Sequence, residues 1–343
     1  MGRGRTVTVG RRAALVVAGA VVLATTVGCT GDASPPQPAG LTSSSEGIAP
    51  LPPEVLAALR VEVRQSRTDR AARVVQVAVH NDGTTDLDVV GARLTSPTVE
   101  GAAVSEDGRR APAGTRRDLS VALGAPVCDA GAGATPRATA APDVAGTTGA
   151  PDTAGTSGPT GTTTTADATV RLEVVDEAGR RGTLEVAPED PNGHLARIHG
   201  EDCAAVAVAR GGTLTLGPQL ATRQEPDGRW VGTVELTLAP RAGGPEIGVD
   251  AVERTVLLDP APGGAQWTAA LSTAPGGART VRLDVVPARC DPHAVAEDKR
   301  GTAFGVHARV DGVPQHVFHV TADDDLRGLV HDFVALACGW PTS

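Results

Sequence analysis

The chain predicts a mainly β protein of two tandem sandwich-like modules, each closed by a short C-terminal helix and one disulfide. Three observations carry that expectation. Apolar and polar residues alternate with strand-like period over many segments from Leu59 onward. The order of blocks met between Leu59 and Cys203 is met again from residue 204 to the end. Each copy carries its cysteines at matching places, after the same strand pattern and near the end of the closing segment.

In the first copy, RVVQVAVHND sets Val75, Val77 and Val79 on one face of a half-buried strand. Asp82-Gly83 marks a turn, and LDVVGARL reads as the next strand. The second copy answers with GTVELTLAPRAGG, where Val234, Leu236 and Leu238 alternate alike, and then IGVDAVERTVLL. Around the first cysteine the match has no gap. RDLSVALGAPVCD against RTVRLDVVPARCD pairs Leu119, Val121 and Leu123 with Val281, Leu283 and Val285, and Asp129 with Asp291.

ATVRLEVVDEAGRRGTLEV then reads as a hairpin turning at Glu177-Ala178-Gly179, and TAFGVHARVDGVPQHVFHV as its counterpart turning at Asp311-Gly312. Both lead through an acidic start into a helical pattern. In DDDLRGLVHDFVALAC, Leu326, Leu329, Val330, Phe333, Val334 and Leu336 recur at helical spacing. The first copy offers HLARIHGEDC, enough for one or two turns. Many strands with one short helix per copy indicate β-sandwiches, and the immunoglobulin-like class is the nearest common architecture. The Trp packed on a disulfide that marks true immunoglobulin domains is not evident in the sequence, so the expectation stops at the class.

Setting Cys29 aside leaves four of the five cysteines, which allow three pairings. The repeat selects Cys128–Cys203 and Cys290–Cys338, because equivalent positions should pair within each copy. Each bridge is worth roughly 4 kcal/mol in the loop-entropy model. A metal site is the rival reading, disfavoured because no CxxC occurs.

Composition bounds the rest. The 343 residues suffice for two domains with their own cores, and a hydrophobic share of 41% fits a globular protein. Aromatics make up 2%, there is no tyrosine, and Trp230, Trp267, Phe304, Phe318, Phe333 and Trp340 all lie in the second half. The first copy must fill its core with Val, Leu, Ile and Ala, which offer less area per residue than rings do. Net charge is −9, and loss of the four arginines ahead of Cys29 takes it to −13. That sign argues against nucleic acid as a partner. Lys299 is the single lysine among 31 basic residues, a bias read as that of a GC-rich genome.

Residues 1–28 have the three parts of an export signal: Arg3, Arg5, Arg11 and Arg12, an uncharged run from Ala13 to Val27, then Gly28 before Cys29. That run is too short for a membrane span. TVGC resembles a bacterial lipobox, with Thr26 standing where that family usually has an aliphatic residue. The resemblance implies cleavage ahead of Cys29, its acylation and anchoring on the outer face of the cell membrane. Residues 29–54 read as a disordered Pro/Ser/Gly-rich tether, 55–203 as the first module and 204–343 as the second. The first module carries a disordered Thr/Ala/Gly/Pro insertion at about 129–167, an O-glycosylated loop or a bare spacer.

At the place of that insertion the second copy has only PHAVAEDKRG. Its His293, Glu297, Asp298, Lys299 and Arg300 form the candidate binding loop, a solvated turn capped by Asp291 being the plainer reading. Five of the eight histidines lie in the second copy, but His316 and His319, three apart in a strand pattern, should face opposite sides of the sheet. Asp323, Asp324 and Asp325 resemble the start of a calcium loop, yet Arg327 occupies a ligand position and Val334 replaces the closing Glu. They are expected to cap a helix instead. No phosphate-binding glycine loop, nucleophile elbow or zinc-protease helix appears, so neither catalysis nor a cofactor is expected.

The lipobox-like signal, the Arg/Ala-rich composition and CDPHAVAEDKRGT together resemble actinobacterial lipoproteins. The likeness brings no activity with it. The expected role is binding or scaffolding at the envelope, with the membrane held through the lipid and an envelope protein as partner. The alternative is a ligand or metal sensor using the histidines and acids of the second module.

Overall fold

Alternating sequence puts one face of each strand into a core, and the computed structural model shows that pattern twice. It describes residues 49–129, 167–274, 277–296 and 300–340. The export signal, Cys29, most of the tether, most of the Thr-rich insertion, and Glu297, Asp298 and Lys299 lie outside the described residues.

The first copy comprises α1 (Pro53–Ala57), β1 (Leu59–Arg64), β2 (Val74–Asn81), β3 (Leu87–Thr95), β4 (Ala102–Ser105), β5 (Arg109–Ala111), β6 (Thr115–Ala122), β7 (Thr169–Asp176), β8 (Arg181–Val186) and α2 (His194–Gly211). One sheet has the order β1-β2-β6 and the other β4-β3-β7-β8, with β5 also on β3. The second copy comprises β9 (Gly212–Gln224), β10 (Trp230–Pro240), β11 (Ile247–Glu253), β12 (Leu258–Pro260), β13 (Gln266–Ser272), β14 (Arg279–Pro287), α3 (Pro292–Ala296), β15 (Ala303–Val310), β16 (Val313–Pro314), β17 (Phe318–Thr321) and α4 (Asp324–Ala337). Its sheets run β12-β14-β10-β9 and β13-β11-β15-β16, with β17 also on β15.

The order β9-β10-β14 repeats β1-β2-β6, and β11-β15 with its hairpin repeats β3-β7-β8. These are two β-sandwich-like modules of antiparallel sheets, as the sequence indicates. A detail the residue pattern does not announce strengthens the repeat. Pairing slips between Val89 and Gly91 where β3 meets β7, and between Val249 and Ala251 where β11 meets β15. Both bulges sit at the same step of equivalent strands, where such features bend and twist a strand.

Val75, Val77 and Val79 are fully buried, as are Val234, Leu236 and Leu238. The first core contains no ring among its members, whereas Trp267, Phe304, Phe318 and Phe333 anchor the second. Trp267 meets Phe304 with ring centroids 6.1 Å apart, and its indole N–H donates to the Asp284 carbonyl at 2.7 Å.

The folded part begins earlier than the tether boundary at residue 54. Leu51 is buried in the first core, and its N–H donates to the Arg181 carbonyl at 2.8 Å. A leucine inside a Pro-rich run was the core residue that composition hid.

Helix α2 differs most from expectation. It runs 18 residues, not one or two turns, and passes straight through the boundary drawn at Cys203. Asp190 starts it by accepting from the His194 and Leu195 N–H groups at 2.7 and 2.9 Å. Leu195 and Ile198 pack into the first core, while Ala204 and Val208 pack into the second. Leu195 and Ala204 are nine residues apart, hence about 180° apart around an α-helix. With apolar residues on opposite faces there is no single stripe for periodicity to detect.

Two glycines let α2 approach the second copy. A Cβ on Gly200 would lie 2.9 Å from the His316 ring, and one on Gly211 would lie 2.2 Å from the Pro245 carbonyl oxygen.

Helix α4 follows its pattern more closely. Asp323 accepts from the Leu326 N–H at 2.8 Å, which is the expected cap. Leu326, Val330, Phe333 and Val334 are buried, but Leu329 and Leu336 are exposed at 37% and 41% because the stripe is narrower than the spacing suggests.

Both disulfides form as the repeat requires, Cys128–Cys203 and Cys290–Cys338. Each ties the segment after β6 or β14 to the closing helix, so neither is the sheet-to-sheet bridge of true immunoglobulin domains.

Candidate functional site

Because α2 belongs to both cores, the copies meet along it. A cleft of about 190 Å³ opens there, lined by Arg70 and Ala71, by Glu201, Asp202 and Ala205 of α2, and by Arg300, Ala303, Phe318, His319 and Thr321. The sequence RVEVRQSRTDRAAR explains the first wall. Its arginines recur every third residue, at 64, 67, 70 and 73, from the end of β1 through the turn that leads to β2. Arg73 holds a left-handed φ of 51°, and its N–H donates to the Arg70 carbonyl at 3.1 Å.

The carboxylates of the cleft are engaged. Arg73 donates to Asp202 from Nε at 3.0 Å and Nη2 at 2.6 Å, and from Nη1 to the Gly124 carbonyl at 2.7 Å. Arg197 donates to Glu201 at 2.9 Å, four residues along the same helix. Burial pushes the Asp202 carboxyl up, even against Arg73.

Arg70 is less well balanced. Arg70 Nε is sealed from solvent and has no hydrogen-bond partner among the described residues. Burial pushes the Arg70 guanidinium down, and the charges of Arg197 and Arg300 push it further. His319 is also pushed down, first by burial and then by Arg300, so its ring is neutral near neutral pH.

The structure distributes the predicted loop unevenly. His293 is exposed in α3, and its backbone N–H donates to Asp291 Oδ1 at 3.0 Å, so Asp291 is the structural cap of the plainer reading. Arg300 is half-buried and lines the cleft. His316 lies ahead of β17, not within a strand as its spacing with His319 suggests, and its ring rests on Gly200. His307 contacts Glu253 at 3.0 Å. Among the described residues, the one grouping of three potential metal ligands is Cys128, His199 and Cys203, in the first copy and with both sulfurs in the disulfide.

Arg70, Glu201, Asp202 and His319 were missed as site residues. The three-residue arginine period was the available signal for Arg70. Nothing local could place α2 and β17 beside it.

No known protein-family model matches the sequence, and no characterised protein matches it. Solved structures give weak likenesses. An exo-chitosanase from Amycolatopsis orientalis shares 14% identity over 77% of this chain and 26% of its own, with a TM-score of 0.18. A red sea bream transglutaminase shares 11% over 77% of this chain and 31% of its own, with a TM-score of 0.20. The BSP domain of a biofilm associated protein shares 8% over 85% of this chain and 62% of its own, with a TM-score of 0.18. The chain thus spans about a quarter to a third of the two enzymes, and likenesses at these scores carry no argument about activity.

Proposed function

We propose that this is a non-catalytic, lipid-anchored envelope protein that binds a partner at the junction of its two modules. The observation that supports it is the shared helix. A helix with one face in each core holds the walls of the junction cleft in place before any ligand arrives, and preformed sites cost less ordering on binding. The arginine pairing of Asp202 and Glu201 fits a binding role better than acid–base chemistry. The anchor is proposed from the lipobox-like TVGC.

Two measurements test this reading. Cys29→Ser should move the protein from the membrane fraction to the soluble one, and retention on membranes would refute the anchor. A photo-reactive residue at Ala71, exposed on the cleft rim, should trap an envelope component in intact cells. The same probe at Asp227, in the β9–β10 turn, should not. Equal capture from both positions, or none from Ala71, would remove the junction as binding site.

A further inference from the structure

We infer that the junction cleft takes one oxyanion group, a phosphate, sulfate or carboxylate, held by the Arg70 guanidinium with Arg300 and His319 beside it. This rests on the binding role proposed above and names the chemistry of its ligand.

A guanidinium N–H removed from water needs an acceptor, and Arg70 Nε has none among the described residues. Because Nε itself is sealed, a ligand in the cleft meets the guanidinium at its other nitrogens, and what favours it is charge pairing with Arg70. The carboxylates at hand are already paired with other arginines, Asp202 through Oδ2 with Arg73 and Glu201 through Oε1 with Arg197. Arg197 and Arg300 act on Arg70 as repelling charges that Glu201 offsets only in part, and Arg300 acts on His319 in the same way, against Glu201 and Glu253. An incoming anion relieves all of these at once.

Arginine suits such a ligand because its planar fork matches two oxygens of one group. Size narrows the class further. Sites for drug-sized molecules run to about 300–1,000 Å³. The cleft, at about 190 Å³, admits a single anionic group, either free or projecting from a larger molecule. Its apolar lining, Ala205, Ala303 and Phe318, lowers the local dielectric and strengthens the charge–charge contact.

Calorimetric titration of residues 30–343 with inorganic phosphate, and separately with glycerol 3-phosphate, tests the assignment. Saturable binding of either supports it. Phosphate alone indicates a free oxyanion, and glycerol 3-phosphate alone or more tightly bound indicates a group carried on a larger molecule. Arg70→Gln should weaken binding at least tenfold. Arg279→Gln, at an exposed position in β14, should leave it unchanged.

Should Arg70→Gln misfold, judged by lost disulfides or circular dichroism, Arg70→Lys replaces it. It keeps the charge without the fork and should weaken binding by a smaller factor. Absence of saturable binding, or equal binding by the Arg70 variants, overturns the inference. If the anions fail while the Ala71 cross-link persists, the binding role stands and only the oxyanion assignment falls.

Discussion

The two modules share a topology, a bulge and a disulfide plan, yet hold themselves together differently. The second has rings at its centre, with Phe304 and Phe333 fully or almost fully buried. The first has only aliphatic side chains, and it adds a helix that continues into its neighbour's core. A module short of large side chains can gain burial by lending a helix face to the next one. The difference teaches that the repeat is not two independent domains in series. The ring-free copy and its aromatic-rich neighbour share one helix between their cores.

Removing the staples probes that asymmetry most strongly. The bridges close loops with sequence separations of 75 and 48 residues. Loop entropy therefore makes them near equals, at about 4 kcal/mol each. If the first copy is the weaker, the double change Cys128→Ser/Cys203→Ser should unfold it while the second copy persists. All tryptophans lie in the second copy, so their fluorescence reports on it alone, whereas far-ultraviolet circular dichroism reports on both. Urea transitions by the two probes should separate in this variant and coincide in Cys290→Ser/Cys338→Ser. Coincidence in both would show that the copies are equally robust.

The joint itself comes next. Gly211→Ala drives a methyl group against the Pro245 carbonyl and the Ile247 side chain, and backbone cannot swing aside as a flexible side chain can. The expected loss is about 1–3 kcal/mol, the usual cost of overpacking. It should fall on both probes, because α2 serves both cores. A smaller effect is expected from Arg73→Ala, which strands the Asp202 carboxylate at a partly buried position, 19% exposed. About 1 kcal/mol should be lost, at the low end for an unsatisfied group because water still reaches it. A neutral result would mean that Asp202 stays solvated without its partner.

How much of this was legible beforehand depended on where the information sat. Strand identity, hairpin turns and disulfide pairing were readable because period-two alternation, Asp-Gly turns and matched cysteines are local or repeat-borne signals. Val75 and Val234 announced their burial in this way. The length of α2 was not readable, since AAVAVARG presents apolar residues on more than one side. The site was half readable. Arg300 belonged to a loop dense in charge, but Arg70 becomes interesting only when α2 and β17 enclose it. Such contacts join residues more than a hundred positions apart, and no short window contains them.

The subtlest test uses pH. His319 faces Arg300 and Arg70, with Glu201 and Glu253 as the nearby acids, and its folded pKa lies below the ordinary 6.5. Between that folded value and 6.5 the unfolded chain binds more protons than the native one, so stability falls as pH drops through this window. His194 is shifted the same way by burial and adds to the slope. Asp202 opposes it: its raised pKa makes stability fall as pH rises from 3.8 toward the folded value. His319→Asn should therefore flatten the decline in urea midpoint below pH 6.5 without touching the acid end. The effect should shrink when a saturating anion occupies the cleft, because an anion favours a protonated ring and lifts its pKa back. An unchanged slope in the variant would place His319 in contact with water, and the cleft would then be too wet to strengthen charge pairing at Arg70.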